Sequence, residues 1–276
     1  MARPLGKSWH TIAALAVALV VAASAALAVP AAADAPSRRP AAHVGASATG
    51  PAAAPGDVVT RTRLVGRSVR GRAIRAYYRG SPRAQRVLVV LGQMHGDEPA
   101  GRATATWIKN NVRPLAGTGI WVVPTMNPDG HARHTRQNAR GVDLNRNWPT
   151  NGWRRTSRGR YYSGPRRASE PETRAMMRFL ADVKPAYIAS IHQPLRAVGR
   201  SSKAPAWQVR LARQLRLPRR WLGVGNPSGT VSPTLTGWYN RRYAGVAITI
   251  EYSPRPSKRY RTIVAGRGIT RATRVR

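Results

Sequence analysis

The sequence predicts one α/β domain: a single, mainly parallel, twisted mixed sheet with helices on both faces. Three observations carry that expectation. Short uninterrupted apolar runs recur along the chain, as strands buried on both faces require. Segments of helical length lie between them, so successive strands are joined by crossovers and run parallel. The 276 residues, 42% of them hydrophobic, supply enough apolar material for a packed core.

The elements follow in order. Val58 to Tyr78 alternates and holds Gly66 and Gly71, which predicts a hairpin leading into the domain. Arg86 to Leu91 (RVLVVL) reads as a buried strand, Gly92 to Glu98 as a loop, and Pro99 suits the first turn of a helix reaching about Asn111. Gly119 to Pro124 (GIWVVP) is a second strand, Glu170 to Val183 a helix, and Ala186 to Ile191 a third strand. Ala204 to Leu217 is amphipathic and basic, and Val246 to Ile250 (VAITI) is a last strand. Ligands in such sheets bind beyond the carboxyl ends of the strands. His95 and Glu98 follow the first parallel strand, Asn127 to Asp129 the second, His192 the third and Glu251 the last.

Ahead of this domain, which spans 57–276, the chain has a different character. Arg3 and Lys7 precede an apolar run from Ile12 to Val29, and Ala26-Leu27-Ala28 and Ala31-Ala32-Ala33 offer small-x-small cleavage sites. This predicts a signal peptide over 1–33 and a secreted protein. The run approaches the roughly 18 residues of a spanning helix, but its alanine richness favours cleavage, leaving no stable membrane span. Residues 34–56 are an Ala/Pro-rich linker with too little bulky apolar material to fold.

The chain carries 47 Lys+Arg, five of them lysines, against 10 Asp+Glu, a formal net charge of +37. Such a field draws polyanions of any kind. The basic residues are spread along the chain, without a nucleic-acid-reading motif, so no specific nucleic-acid partner is expected. Anionic cell-wall polymer is the available partner for an exported protein. There is no cysteine, which excludes disulfides, thiolate metal sites and cysteine nucleophiles, and leaves His and carboxylate as metal ligands.

The few acids and histidines are informative. Of four glutamates, Glu170 and Glu172 fall in the first turn of a helix, where its dipole favours negative charge. Glu98 and Glu251 fall at strand ends. Of six histidines, His10 and His43 precede the domain, and His131 and His134 lie in a polar, arginine-rich loop. His95 and His192 each follow an apolar strand. His95-Gly96-Asp97-Glu98 sets an imidazole and a carboxylate three residues apart on a tight loop. With His192 they make two His and one carboxylate, leaving a fourth zinc position open, as catalytic sites do. The HxxE spacing alone is a weak signal.

Five segments strengthen it: GQMHGDEPAG (Gly92–Gly101), MNPDG (Met126–Gly130), TRQNARGVDLNRNWP (Thr135–Pro149), SIHQP (Ser190–Pro194) and ITIEY (Ile248–Tyr252). Through them the chain resembles the zinc carboxypeptidase family, and within it the murein tripeptide amidase branch. The resemblance implies one zinc ion per chain on His95, Glu98 and His192. It implies that Glu251 is the general base and Arg136 the oxyanion-stabilising arginine, with Arg140 a nearby rival. Asn145 and Arg146 match the pair that clamps the substrate's terminal carboxylate, and Asp143 matches a buttress. Asn127, Asp129 and Gly130 read as turn residues shaping the site.

The chain also departs from the digestive members. Residues 226–230 (NPSGT) lack the mobile tyrosine those enzymes carry before the base, and no acid occurs from Gly223 to Ile250 to pair with a basic substrate. Arg196, Arg200, Arg241 and Arg242 suit an acidic, multiply carboxylated substrate. The expected function is therefore secreted, zinc-dependent hydrolysis of a terminal amide in peptidoglycan peptides, at the γ-D-glutamyl–diaminopimelate bond. The alternatives are a general metallocarboxypeptidase and a non-catalytic, basic wall-binding protein.

Overall fold

A computed structural model describes residues 58–223 and 232–276. The predicted leader and linker, and the 226–230 stretch, lie outside the described residues.

Among the described residues the strands form one eight-stranded sheet, in the order β1-β2-β4-β3-β5-β8-β6-β7. β1 (Val59–Arg67) and β2 (Ala73–Gly80) are the expected antiparallel hairpin. The centre is parallel: β4 (Thr118–Val123), β3 (Arg86–Leu91), β5 (Tyr187–His192) and β8 (Val246–Glu251) point the same way. Two short strands that the apolar pattern does not reveal, β6 (Ala197–Gly199) and, at the edge, β7 (Arg219–Arg220), complete the sheet. Each is too short to carry a periodic signal, and each pairs through its backbone with a neighbouring strand.

Alternation along the central strands divides the core into two layers. Leu88, Val90, Ala189, Ile191, Ile248 and Ile250 face one side, under α1 (Ala100–Asn111), α4 (Pro205–Leu215) and α6 (Ala265–Ala272). Val89, Leu91, Ile188 and Ala247 face the other, under α3 (Pro171–Val183) and α5 (Leu235–Arg242). Each such aliphatic side chain withdrawn from water contributes roughly 1.5–3 kcal/mol. Strands apolar on both sides therefore stay central, and their carboxyl ends form a rigid edge.

Glycines bring the loops of that edge together. A Cβ on Gly96 would lie 2.0 Å from the Gly130 carbonyl carbon, so the loop after β3 presses directly on α2 (Pro128–Arg133). A Cβ on Gly101 would meet the Gly92 carbonyl oxygen at 2.0 Å, so the first turn of α1 packs against the end of β3.

Candidate metal centre

His95 and Glu98 occupy one turn, closed by the Glu98 N–H donating to the His95 carbonyl at 3.1 Å. His192 ends β5, opposite Glu251 in the parallel register with β8. The Gln193 side chain accepts the first helical N–H of α1, from Ala100, at 3.0 Å, while the Gln193 N–H donates to Glu98 Oε2 at 3.2 Å. The residue after His192 thus pins that strand end to the turn holding Glu98.

The result is one buried cluster. Glu98 Oε1 lies 2.8 Å from His95 Nδ1, and Glu98 Oε2 lies 3.1 Å from His192 Nδ1. The two Nδ1 atoms are 3.2 Å apart, and the ligand atoms of all three residues fall within 4.8 Å of one another. His95 Nε2 meets Asp143 Oδ1 at 3.0 Å. An ionised carboxylate only accepts, so this nitrogen carries a ring proton, and Nδ1 is the position turned towards the cluster. Ser190 Oγ, 3.2 Å from His192 Nε2, can accept that ring's proton in the same sense. Two imidazole lone pairs and a carboxylate then converge, a donor set that a divalent cation satisfies.

The electrostatics agree. Burial pulls the His95 pKa down, but the Glu98 and Asp143 carboxylates outweigh it and raise it to about 9, so at neutral pH Nδ1 holds a proton that a bound cation would displace. Burial would raise Glu98 and Asp143. Instead the histidines hold Glu98, and His95 with Arg136 and Arg146 holds Asp143, far below the usual carboxylate range. This is a pocket built to hold positive charge.

Around it runs a cleft of ≈ 860 Å³ that also contains Glu251, Arg136, Asn145 and Arg146. Glu251 is nearly buried, with Oε2 accepting the Leu195 N–H at 3.3 Å. Burial pushes its pKa up, opposed by His192 and assisted by Glu98. Arg136 donates Nε and Nη2 to Asp143 Oδ2 at 3.0 and 2.9 Å, and Nη1 to Glu98 Oε1 at 3.1 Å. Arg140 is not its equal: its side chain is 56% exposed and reaches buried Glu170 at 3.7 Å. Asn145 and Arg146 sit on a 3₁₀ turn, Leu144–Arg146, capped by Asp143, whose Oδ1 accepts the Asn145 N–H at 2.9 Å. Asp143 is therefore a buttress, as expected, and the side chains it holds include His95 and Arg136. Of the four arginines expected to meet an acidic substrate, Arg200 and Arg241 line the cleft, whereas Arg196 and Arg242 are not among its walls.

Two features escaped the sequence, and Asn127, expected as a turn residue shaping the site, does so through its hydrogen bonds. Glu170 and Glu172 are fully buried rather than merely placed at a helix start. They receive the Asn138 amide at 2.7 and 3.1 Å, which ties the loop bearing Arg136, Asp143 and Arg146 onto α3. Asn127 acts similarly, capping α2 through Gly130 N at 2.9 Å and donating to the Arg136 carbonyl at 3.3 Å. Tyr161 enters the cleft from a loop with no periodic signal.

A parallel sheet whose carboxyl edge gathers two imidazoles and a carboxylate, with a second carboxylate in the same cleft, defines a metal centre of the hydrolytic kind. The zinc carboxypeptidase family model matches residues 56–198, more than half of the chain, and the chain belongs to that family. The match contains His95, Glu98, Arg136, Asn145, Arg146 and His192; Glu251 lies beyond it. Carboxypeptidase SOL1 of Arabidopsis thaliana is 32% identical over 124 residues, 41% of this chain and 24% of that protein. Murein peptide amidase A of Escherichia coli K12 is 31% identical over 144 residues, 47% of this chain and 58% of that protein. The chain thus spans less than two thirds of either relative. Among solved structures, the murein-tripeptide amidase of Escherichia coli O157 superposes with a TM-score of 0.60 at 24% identity, covering 80% of this chain and 92% of that one. That likeness establishes the fold.

Proposed function

We propose that this chain is a secreted zinc hydrolase that cleaves the γ-D-glutamyl–diaminopimelate amide of peptidoglycan peptides. The observation that carries the reading is the convergence of His95, Glu98 and His192 within 4.8 Å beside Glu251 in one cleft. A zinc ion on those three residues would supply Lewis acidity and a nucleophile at neutral pH, by lowering the pKa of water from 15.7 to about 7.

The protein's own groups take the remaining roles. Glu251, whose burial favours the protonated form, accepts a proton from the attacking water and returns it to the leaving amine. Arg136, its guanidinium fixed by Asp143, offers a preorganised positive charge to the developing oxyanion, worth on the order of 3 kcal/mol. Asn145 and Arg146 bind the terminal carboxylate, arginine through its planar fork. Arg200 and Arg241 on the cleft wall favour a substrate with further carboxylates, which diaminopimelate and D-glutamate supply.

The similarity to murein peptide amidase A supports this substrate. The leader-like N-terminus supports export, and the +37 charge supports retention on anionic wall polymer. No helix among the described residues is long and apolar enough to cross a membrane. The test is release of diaminopimelate from a synthetic L-alanyl-γ-D-glutamyl-diaminopimelate by the zinc-loaded protein. Removal of ordinary C-terminal residues without action on that tripeptide would make the chain a general metallocarboxypeptidase instead.

A further inference from the structure

We infer that Tyr161 is a positioning residue of this cleft, its ring holding the guanidinium groups of Arg136 and Arg146 in place; the inference rests on the hydrolase reading above. The carbon at the centre of Arg136's guanidinium lies 5.3 Å from the Tyr161 ring centroid, and that of Arg146 lies 5.4 Å from the same centroid. Both distances are within the range of cation–π attraction. The two arginines repel one another: burial lowers the Arg146 pKa, Asp143 opposes that fall and Arg136 adds to it. A shared electron-rich ring offsets that repulsion without neutralising either charge.

The loop is built to present this ring. Thr156 and Ser163 exchange N–H to hydroxyl hydrogen bonds at 3.0 Å in both directions, and Thr156 Oγ1 donates to the Tyr161 carbonyl at 3.0 Å. The next carbonyl, of Tyr162, accepts the Asp143 N–H at 2.8 Å. The Gln137 amide reaches the carbonyls of Gly159 and Arg160 at 3.2 and 3.1 Å. The backbone on either side of Tyr161 is thus tied to the segment that carries Arg136, Asp143 and Arg146. Yet the side chain itself stays 42% exposed on the cleft wall. A third guanidinium, of Arg160, lies 5.9 Å from the same ring centroid.

The experiment compares Tyr161→Phe, which keeps the ring, with Tyr161→Leu, which keeps apolar bulk without an aromatic face. In the zinc-loaded protein the Phe variant is expected to stay within about threefold of the parent in kcat/KM. The Leu variant is expected to lose roughly tenfold or more, the combined worth of two cation–π contacts. Its loss is divided between kcat, through Arg136, and KM, through Arg146. The KM part shrinks when the substrate's terminal carboxylate is replaced by an amide. A second readout needs no turnover: the ¹⁵N-bound Nε protons of Arg136 and Arg146, assigned with the Arg136→Lys and Arg146→Lys variants, are ring-current shifted in the parent and in Tyr161→Phe. They move to ordinary positions in Tyr161→Leu. Unchanged arginine resonances, or a Leu variant with parental kcat and KM, overturn the inference. A parent inactive on every substrate defeats the hydrolase reading, while the resonances still decide the contact.

Discussion

His95 Nε2 lies 3.0 Å from Oδ1 of Asp143, and that contact sets which face of the imidazole is offered to the metal. The same carboxylate, through Oδ2, holds Arg136 at 2.9 Å. One buried acid therefore orients both a proposed metal ligand and the arginine proposed for the oxyanion. Asp143→Asn should weaken zinc binding about 10–100-fold, as loss of an outer-shell carboxylate does. It should also lower kcat at saturating zinc, because Arg136 loses its anchor. Chelator competition reads the first effect and steady-state kinetics the second.

His95→Ala, Glu98→Ala and His192→Ala should each reduce bound zinc from about one per chain to a small fraction in elemental analysis, and abolish hydrolysis. Far-UV circular dichroism should change little, because the two apolar layers of the sheet do not include the cluster. Chelation of the parent should have the same result, reversed by added zinc.

Glu251→Gln is expected to keep its zinc and lose kcat by about 10²–10⁴, the usual contribution of a general base. KM should change far less. Parental turnover in this variant would remove Glu251 from the reaction.

Asn138→Ala tests the anchoring of the site loop. It leaves Glu170 and Glu172 without the amide they share, and Arg140 N and Val142 N without the Asn138 Oδ1 acceptor, at 3.0 and 3.1 Å. Buried groups deprived of partners cost about 1–3 kcal/mol each, so a loss of roughly 3 kcal/mol is expected. A chain of this size should show it as a fall in Tm of roughly 6–12 °C.

Asp129 supplies a pH test away from the metal. Its buried carboxylate accepts the Arg70 N–H at 3.0 Å and pairs with Arg72 at 2.6 Å. Burial would raise its pKa, but these hydrogen bonds and the Arg72 charge bring it below the ordinary 3.8. A depressed carboxylate contributes stability in full above its unfolded pKa and loses it as pH falls through the folded value. Asp129→Asn should therefore be less stable than the parent at neutral pH. The two denaturation midpoints should converge as the pH drops below about 3.8.

The strands Arg86–Leu91 and Val246–Glu251, the helix after Pro99 and the strand-end placement of His95, Glu98, His192 and Glu251 were legible in the sequence. Strands buried on both faces announce themselves as unbroken apolar runs. Scarce acids and histidines at strand ends stand out against an arginine-rich background. β6 and β7 were not legible, because three and two residues carry no period. The fate of individual arginines was hidden for a related reason. In a chain with this many, residue type says nothing about which one faces the cleft.

By itself, then, the sequence determined the sheet's parallel core, which follows from side-chain chemistry at local spacing, and its motifs named His95, Glu98 and His192, which the structure brings together. Only tertiary structure decided that Asp143 serves His95 and Arg136 together, that Arg140 turns away to Glu170, and that Tyr161 reaches two guanidinium groups. Those outcomes depend on distances between residues far apart along the chain. The distances are set by how the two apolar layers pack and by where each loop's backbone hydrogen bonds find partners.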